Sequence, residues 1–281
     1  MLLMPSEYEL WRRMGEEIRE SPDDDRLRRL FAGLLESGDD ANEGTRNRAR
    51  FIRIQLRLAS MDADHPEWLR LAAQALQLFL RYERAWVPEV YQKFSRPQFH
   101  RGFLELITIP ARELAENSSL ILSEAPIRHL DIVDMPGDGY VQDLFDGLFS
   151  KLPAMRRLLS LRLDGQGIND ADVARLTKLP WKNLGWLSLA NNEIHEEGVA
   201  MLADRLRTLR YVDLHGNPFD PIDELTFDQD VVVNRRRTPF GEEHAEIPWL
   251  RRGVVSGQVV YPSRFEIARE RPAEIVGPAF A

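Results

Sequence analysis

The sequence predicts an α/β protein: a short solenoid with a parallel sheet on its concave side and helices on its convex side, an N-terminal helical domain, and a small C-terminal cap. Three observations carry that expectation. A leucine motif recurs between residues 126 and 219, helix-forming stretches alternate with it, and the first hundred residues carry apolar stripes at helical rather than strand period.

The motif is clearest at Leu184, Leu187, Leu189, Asn192 and Ile194, which fit L-x-x-L-x-L-x-x-N-x-I at every position. Leu209, Val212, Leu214, Asn217 and Phe219 fit it with one Val for Leu, and Leu158, Leu161, Leu163, Gln166 and Ile168 fit it with Gln at the Asn position. Ile127, Leu130, Ile132 and Met135 make a degenerate first copy. The copies start at 127, 158, 184 and 209, steps of 31, 26 and 25 residues, close to the roughly 20 to 29 residues of a leucine-rich repeat. Between them, Val173 and Leu176 follow Asn169-Asp170, and Val199, Leu202 and Leu206 follow Glu196-Glu197-Gly198, which supplies helices.

A strand and a helix per repeat resembles the ribonuclease-inhibitor type of leucine-rich repeat. That resemblance implies a curved arc in which the Leu and Ile positions point between sheet and helices and the Asn bonds to turn backbone. Each repeat needs its neighbours to bury its apolar face, so an arc of about four repeats needs a cap at both ends. The expected organisation is a helical domain over 1–125, the arc over 126–219, and a cap or tail over 220–281. In that tail, Val231-Val232-Val233, Trp249-Leu250 and Val254 to Tyr261 read as extended segments.

Four helices are expected before the arc. Leu10, Trp11, Met14 and Ile18 make the stripe of the first, over Glu7 to Glu20. Ser21-Pro22-Asp23-Asp24-Asp25 stops it and caps the next, whose stripe is Leu27, Leu30, Phe31, Leu34 and Leu35, until Ser37-Gly38 breaks it. A third spans about Arg48 to Ser60 and a fourth about Pro66 to Val87. Ser21-Pro22-Asp23-Asp24, Phe31-Ala32, Leu35-Glu36 with Gly38-Asp39, Phe51-Ile52-Arg53-Ile54-Gln55 and Arg101-Gly102-Phe103 together resemble the bacterial repeat-companion domain that precedes leucine-rich repeats. The similarity covers roughly residues 5 to 125 and departs at Gly33 and Leu34, where that family more usually carries Asp and Trp. It implies an architecture, with repeats downstream, and no particular reaction.

Composition narrows the function classes. The 281 residues carry a formal charge of −8 and no cysteine. An acidic balance argues against nucleic-acid backbone binding, which needs a basic field. Lack of thiols excludes disulfide frameworks, thiolate metal sites and cysteine nucleophiles. No membrane span is expected, and Met1 to Glu9 lack a basic stretch followed by an apolar run, so the expected location is the cytoplasm.

Alternation along each strand sends the residues between the leucines to the concave face. The expected columns are His129, Ser160, Trp186, Tyr211; then Asp131, Arg162, Ser188, Asp213; then Val133, Asp164, Ala190, His215. Trp186 and Tyr211 are expected side by side and exposed, as anchors of the kind that dominate interface energy. The expected binding residues are therefore His129, Asp131, Arg162, Asp164, Trp186, Ser188, Tyr211, Asp213 and His215, for another protein carrying a mildly basic patch. The role expected is a non-enzymatic inhibitor, immunity factor or scaffold without cofactor or metal.

The competing expectation is an enzyme with a hydrolytic or metal-assisted site between the helical domain and the arc, using His100, His129 or nearby Asp. His129, Asp131, Asp134 and Asp138 match no metal-ligand spacing, and Asp134 and Asp138 flank Met135-Pro136-Gly137, where Asp serves turns. Gly165-Gln166-Gly167 lacks the third glycine of a dinucleotide loop. Arg235-Arg236-Arg237 and Arg251-Arg252 read as solvated charge.

Overall fold

The chain adopts a mixed α/β fold with a mostly parallel sheet. The computed structural model describes residues 7–38, 41–62, 65–92, 96–134, 144–145, 153–206, 208–219 and 232–234. In order, the elements are α1 (Glu7–Glu20), α2 (Asp25–Ser37), α3 (Glu43–Ala59), α4 (Trp68–Trp86), α5 (Glu89–Gln92), β1 (Arg96–His100), β2 (Phe103–Pro110), α6 (Ala111–Glu124) and β3 (His129–Val133). A 3-10 turn (Pro153–Arg157), β4 (Ser160–Arg162), α7 (Asp170–Leu176), β5 (Trp186–Ser188), α8 (Glu196–Arg205), β6 (Tyr211–Asp213) and β7 (Val232–Asn234) follow. Among the described residues, those up to Gln92 together with Pro97–Glu105 form one compact unit, and Arg96 with those from Leu106 onward form a second.

In the first unit, α1 to α4 match the four expected stripes, and α3 begins earlier than its stripe because Asn42 and Thr45 close a reciprocal capping box. Asp24 caps α2 by accepting from the Arg26 backbone N–H at 2.9 Å. Ala32, Leu35, Ala49, Ile52 and Leu56 form a buried cluster against which Trp11, Phe31 and Phe103 pack. The strands β1 and β2 and the helices α5 and α6 lie in a region expected to hold only four helices.

Residues distant in the first unit's sequence meet at one place. Arg101 and Gly102, at φ of +50° and +87°, make the two-residue turn between β1 and β2, the backbone that such a turn requires. Gln55 accepts from the Gly102 N–H at 2.6 Å, and a Cβ on Gly102 would sit 2.6 Å from Ile52. Arg28, wholly buried, donates to the Pro22 carbonyl at 2.6 Å, to the carbonyls of His100 and Arg101 at 3.3 and 3.2 Å, and to Glu105 at 2.5 Å. The turn after α1 and the turn before β2 are thus tied by one guanidinium.

In the second unit, the strands pair in chain order and in parallel from β2 to β7. Leu130, Leu161, Leu187 and Val212 are register partners. These and the motif residues Leu163, Leu189 and Leu214 are buried, together with Val173 and Leu176 of α7 and Val199 and Leu202 of α8. Among the tail segments expected to be extended, Val232 and Val233 lie in β7, while Val231, Trp249-Leu250 and Val254 to Tyr261 fall outside the described residues.

The motif asparagines close the turns. Asn192 Oδ1 accepts from the N–H groups of Gln166 and Ile168 at 2.8 and 3.1 Å, and its Nδ2 donates to the carbonyls of Leu163 and Ala190 at 2.9 and 3.3 Å. Asn217 repeats this one step on, accepting from Ile194 N–H and donating to Leu189 and Leu214 carbonyls. Buried backbone groups that lose such partners keep the desolvation cost. Asn192→Ala is therefore expected to lower unfolding free energy by about 1 to 3 kcal/mol, measured by urea titration. A midpoint equal to the wild type would show that water replaces the amide.

Candidate partner-binding face

The face of the sheet opposite the leucines carries all nine residues singled out in the sequence. Register sets His129 beside Ser160, Ser160 beside Trp186, and Trp186 beside Tyr211. It likewise sets Asp131 beside Arg162, Arg162 beside Ser188, and Ser188 beside Asp213. The third row continues past the strand ends through Gly165 N–H to Ala190 carbonyl at 2.8 Å and Asn191 N–H to His215 carbonyl at 2.7 Å. β2 extends the face by Leu106 and Thr108, partners of His129 and Asp131. Thr108 went unnoticed in the sequence, although the alternation of buried Ile107 and Ile109 with their neighbours was there to find it.

The first row is covered, contrary to expectation. Trp186 is 9% exposed and Tyr211 2%, with His129 and Ser160 also buried. The two rings stack with centroids 5.8 Å apart and planes 5° from parallel, so adjacency holds and exposure does not. The physical reason is that alternation decides which face a side chain takes, not whether that face is open. Large rings also bring about 150 to 250 Å² of surface that is stabilising to bury. His129 Nδ1 meets Ser160 Oγ at 2.9 Å inside this covered row. Ser188 and Asp213 are buried as well.

The accessible part is a polar row of half-buried side chains around Arg162. Thr108 Oγ1 donates to Asp131 Oδ2 at 3.1 Å. Arg162 Nη1 stands 4.0 Å from that same oxygen, while its Nε donates to Asp164 Oδ2 at 2.5 Å. Asp164 Oδ1 accepts from Ser188 Oγ and, at 3.0 Å, from the Ala190 N–H. Burial pulls the pKa of the Arg162 guanidinium down, but Asp164, Asp131 and Asp213 outweigh it and raise it. The group stays cationic throughout the useful pH range.

At the far end, His215 Nδ1 lies 2.7 Å from Asp213 Oδ1, and the His215 backbone N–H donates to the same oxygen at 3.2 Å. Asn191, at φ +54°, places its amide 3.4 Å from His215 Nε2. Gly216 turns at φ +75°, where a Cβ would lie 2.3 Å from Asn191 Oδ1, so only glycine leaves room for that amide.

His100, the other residue of the enzymatic expectation, belongs to the first unit, where its Nδ1 is 3.2 Å from Glu105 Oε2. Asp134 is described, at φ +52°, whereas Met135 and Asp138 fall outside the described residues. Among the described residues, no group of three or more His, Asp or Glu is placed to hold a metal ion, and no helix is long and apolar enough to cross a membrane. Gly165 and Gly167, at φ +65° and +68°, shape the turn after β4, and Arg235 to Arg237 and Arg251-Arg252 fall outside the described residues.

No protein-family model matches the chain, and no curated protein matches it.

Proposed function

We propose that residues 126–219 form a leucine-rich-repeat arc of the ribonuclease-inhibitor kind, behind a repeat-companion domain, and that the protein is a non-enzymatic interaction module. It would bind another protein on the concave face as an inhibitor, immunity factor or scaffold in the cytoplasm. The observation that carries this reading is the shared register of β3 to β6, which lines up chemically distinct side chains across four strands on the face opposite the leucines. Asp131, Arg162, Asp164 and His215 are the contact residues, because they retain exposure. Trp186 and Tyr211 lie beside them in the covered first row. The half-buried carboxylates of Asp131 and Asp164, with buried Asp213 near them, outnumber the one guanidinium and favour a partner with a basic patch.

The test is capture of partners from native cytoplasm, identified by mass spectrometry, with three baits. These are the wild type, Asp131→Asn with His215→Ala, and Lys178→Ala on the exposed turn after α7. The expected result is one protein retained by wild type and Lys178→Ala and depleted about tenfold on the face variant, which corresponds to about 1.4 kcal/mol. The depletion is expected to shrink as salt rises, since exposed charges are screened over about 8 to 10 Å. Equal recovery on all three baits, or turnover of a small substrate by the purified protein, would overturn the reading.

A further inference from the structure

We infer that Arg162 is an internal competitor for the basic side chain a partner presents to this face, so that removing it strengthens binding of a cationic partner instead of weakening it. This rests on the proposed function and takes it from the class of partner to the residue that limits its affinity. Arg162 is the most accessible of the contact side chains, at 40% exposure. It sits between Asp131 on β3 and Asp164, and the negative charge of Asp213 reaches it from β6. An incoming carboxylate would meet three like charges, whereas an incoming guanidinium or ammonium meets three opposite ones. The natural seat of that cation is the one Arg162 occupies.

The members of the row differ in how far they can move. Asp164 is fixed, because its second oxygen is held by Ser188 Oγ and the Ala190 N–H. Arg162 is a long side chain with several rotatable bonds, so it is the one that can swing out. Its contact with Asp131 is already loose, at 4.0 Å, and only the 2.5 Å contact with Asp164 must be surrendered. A partner cation that displaces Arg162 regains one contact and loses the same one for the protein, which keeps binding weaker than three carboxylates would allow. Arg162 is not needed to hold its strand, since the Leu161 and Leu163 side chains beside it are buried on the opposite face.

The test uses a fluorescent hexa-arginine peptide as the probe, titrated at low ionic strength into the full chain. Wild type is compared with Arg162→Gln, Arg162→Met and, as a control for net charge, Lys178→Gln. Circular dichroism and melting curves establish that each variant is folded. The expected result is a fivefold to tenfold lower Kd for both Arg162 variants, no such change for Lys178→Gln, and loss of the gain when Asp131→Asn is added to Arg162→Gln. Equal or weaker binding by the Arg162 variants overturns the inference, because Arg162 would then favour the cation or be indifferent to it. An equal gain with Lys178→Gln overturns it as well, by reducing the effect to net charge. Either failure leaves the proposed function standing if capture still depends on Asp131 and His215, and that function fails separately if capture ignores them.

Discussion

Replacing Arg28 by Met is expected to lower unfolding free energy by about 3 kcal/mol, the lower end of the roughly 3 to 5 kcal/mol that breaking a buried ion pair costs, because Glu105 keeps His100 at 3.2 Å and Arg101 at 3.5 Å. Both ends of the pair are inaccessible, with Arg28 at 0% and the Glu105 side chain at 1% exposure. Met restores much of the apolar stem, so most of the loss is electrostatic. The same substitution removes one donor from each of the carbonyls of Pro22, His100 and Arg101, of which Pro22 keeps Arg101 Nη2 at 3.0 Å. Adding Glu105→Leu should recover part of the loss, because removing both charges also removes their desolvation cost. Recovery stays incomplete because each of those carbonyls has lost a donor. Domains are stable by only about 5 to 15 kcal/mol, so denaturant titration of the single variant decides the matter. A midpoint like the wild type would mean the guanidinium does not hold the carboxylate.

The pair also sets a pH dependence. Burial pushes the Glu105 carboxyl up, but Arg28, His100 and Arg101 outweigh it and hold the carboxyl well below the usual carboxylate range. In the unfolded chain Glu105 takes its ordinary value of about 4.3. A depressed folded pKa gives stability that is present above that value and lost as pH falls toward the folded one. In Arg28→Met the largest of the lowering influences is gone while burial remains, so the carboxyl rises. The variant then gains relative to wild type on acidification, and the difference between them is expected to be largest near neutrality and to narrow as pH falls through the raised pKa of the variant's carboxyl.

How much of this was legible in the sequence follows from what periodicity can carry. The α1 to α4 stripes and the spacing of Leu158, Leu184 and Leu209 encode which way side chains face, and helices, strands and register all appear where that information puts them. Asn192 and Asn217 were legible because a short amide at a strand exit has few other uses. Arg28 and Glu105 were not, since a charged residue inside a helix or strand pattern reads as solvated until its partner is known, and theirs is 77 residues away. β2 was harder to read for a related reason: Glu105 cuts the apolar alternation short and leaves Ile107 and Ile109 to mark the strand. What covers a face is likewise absent from the period of that face, and so the first row of aromatic side chains was assigned the right direction and the wrong exposure.

Trp186→Ala is accordingly expected to behave as a core truncation, with a loss of about 3 to 5 kcal/mol, not as a silent surface change. For a domain of this size each kcal/mol corresponds to about 2 to 4 °C in Tm, so the shift is large enough to read in a melting curve. The ring is nearly parallel to Tyr211 across β5 and β6, and aromatic pairs of this kind contribute about 0.5 to 1.5 kcal/mol beyond their buried area. A double-mutant cycle with Trp186→Leu and Tyr211→Leu isolates that share, because Leu stays apolar and removes the stack while the volume lost at each single site cancels in the cycle. The cycle should return a coupling in that range and leave the strand register intact. Partner binding then has to be measured with Trp186→Phe, which preserves an aromatic ring in the covered row. If Trp186→Ala keeps the wild-type melting curve and abolishes capture, the ring is an accessible anchor after all, and the contact surface extends from the Arg162 row into the first.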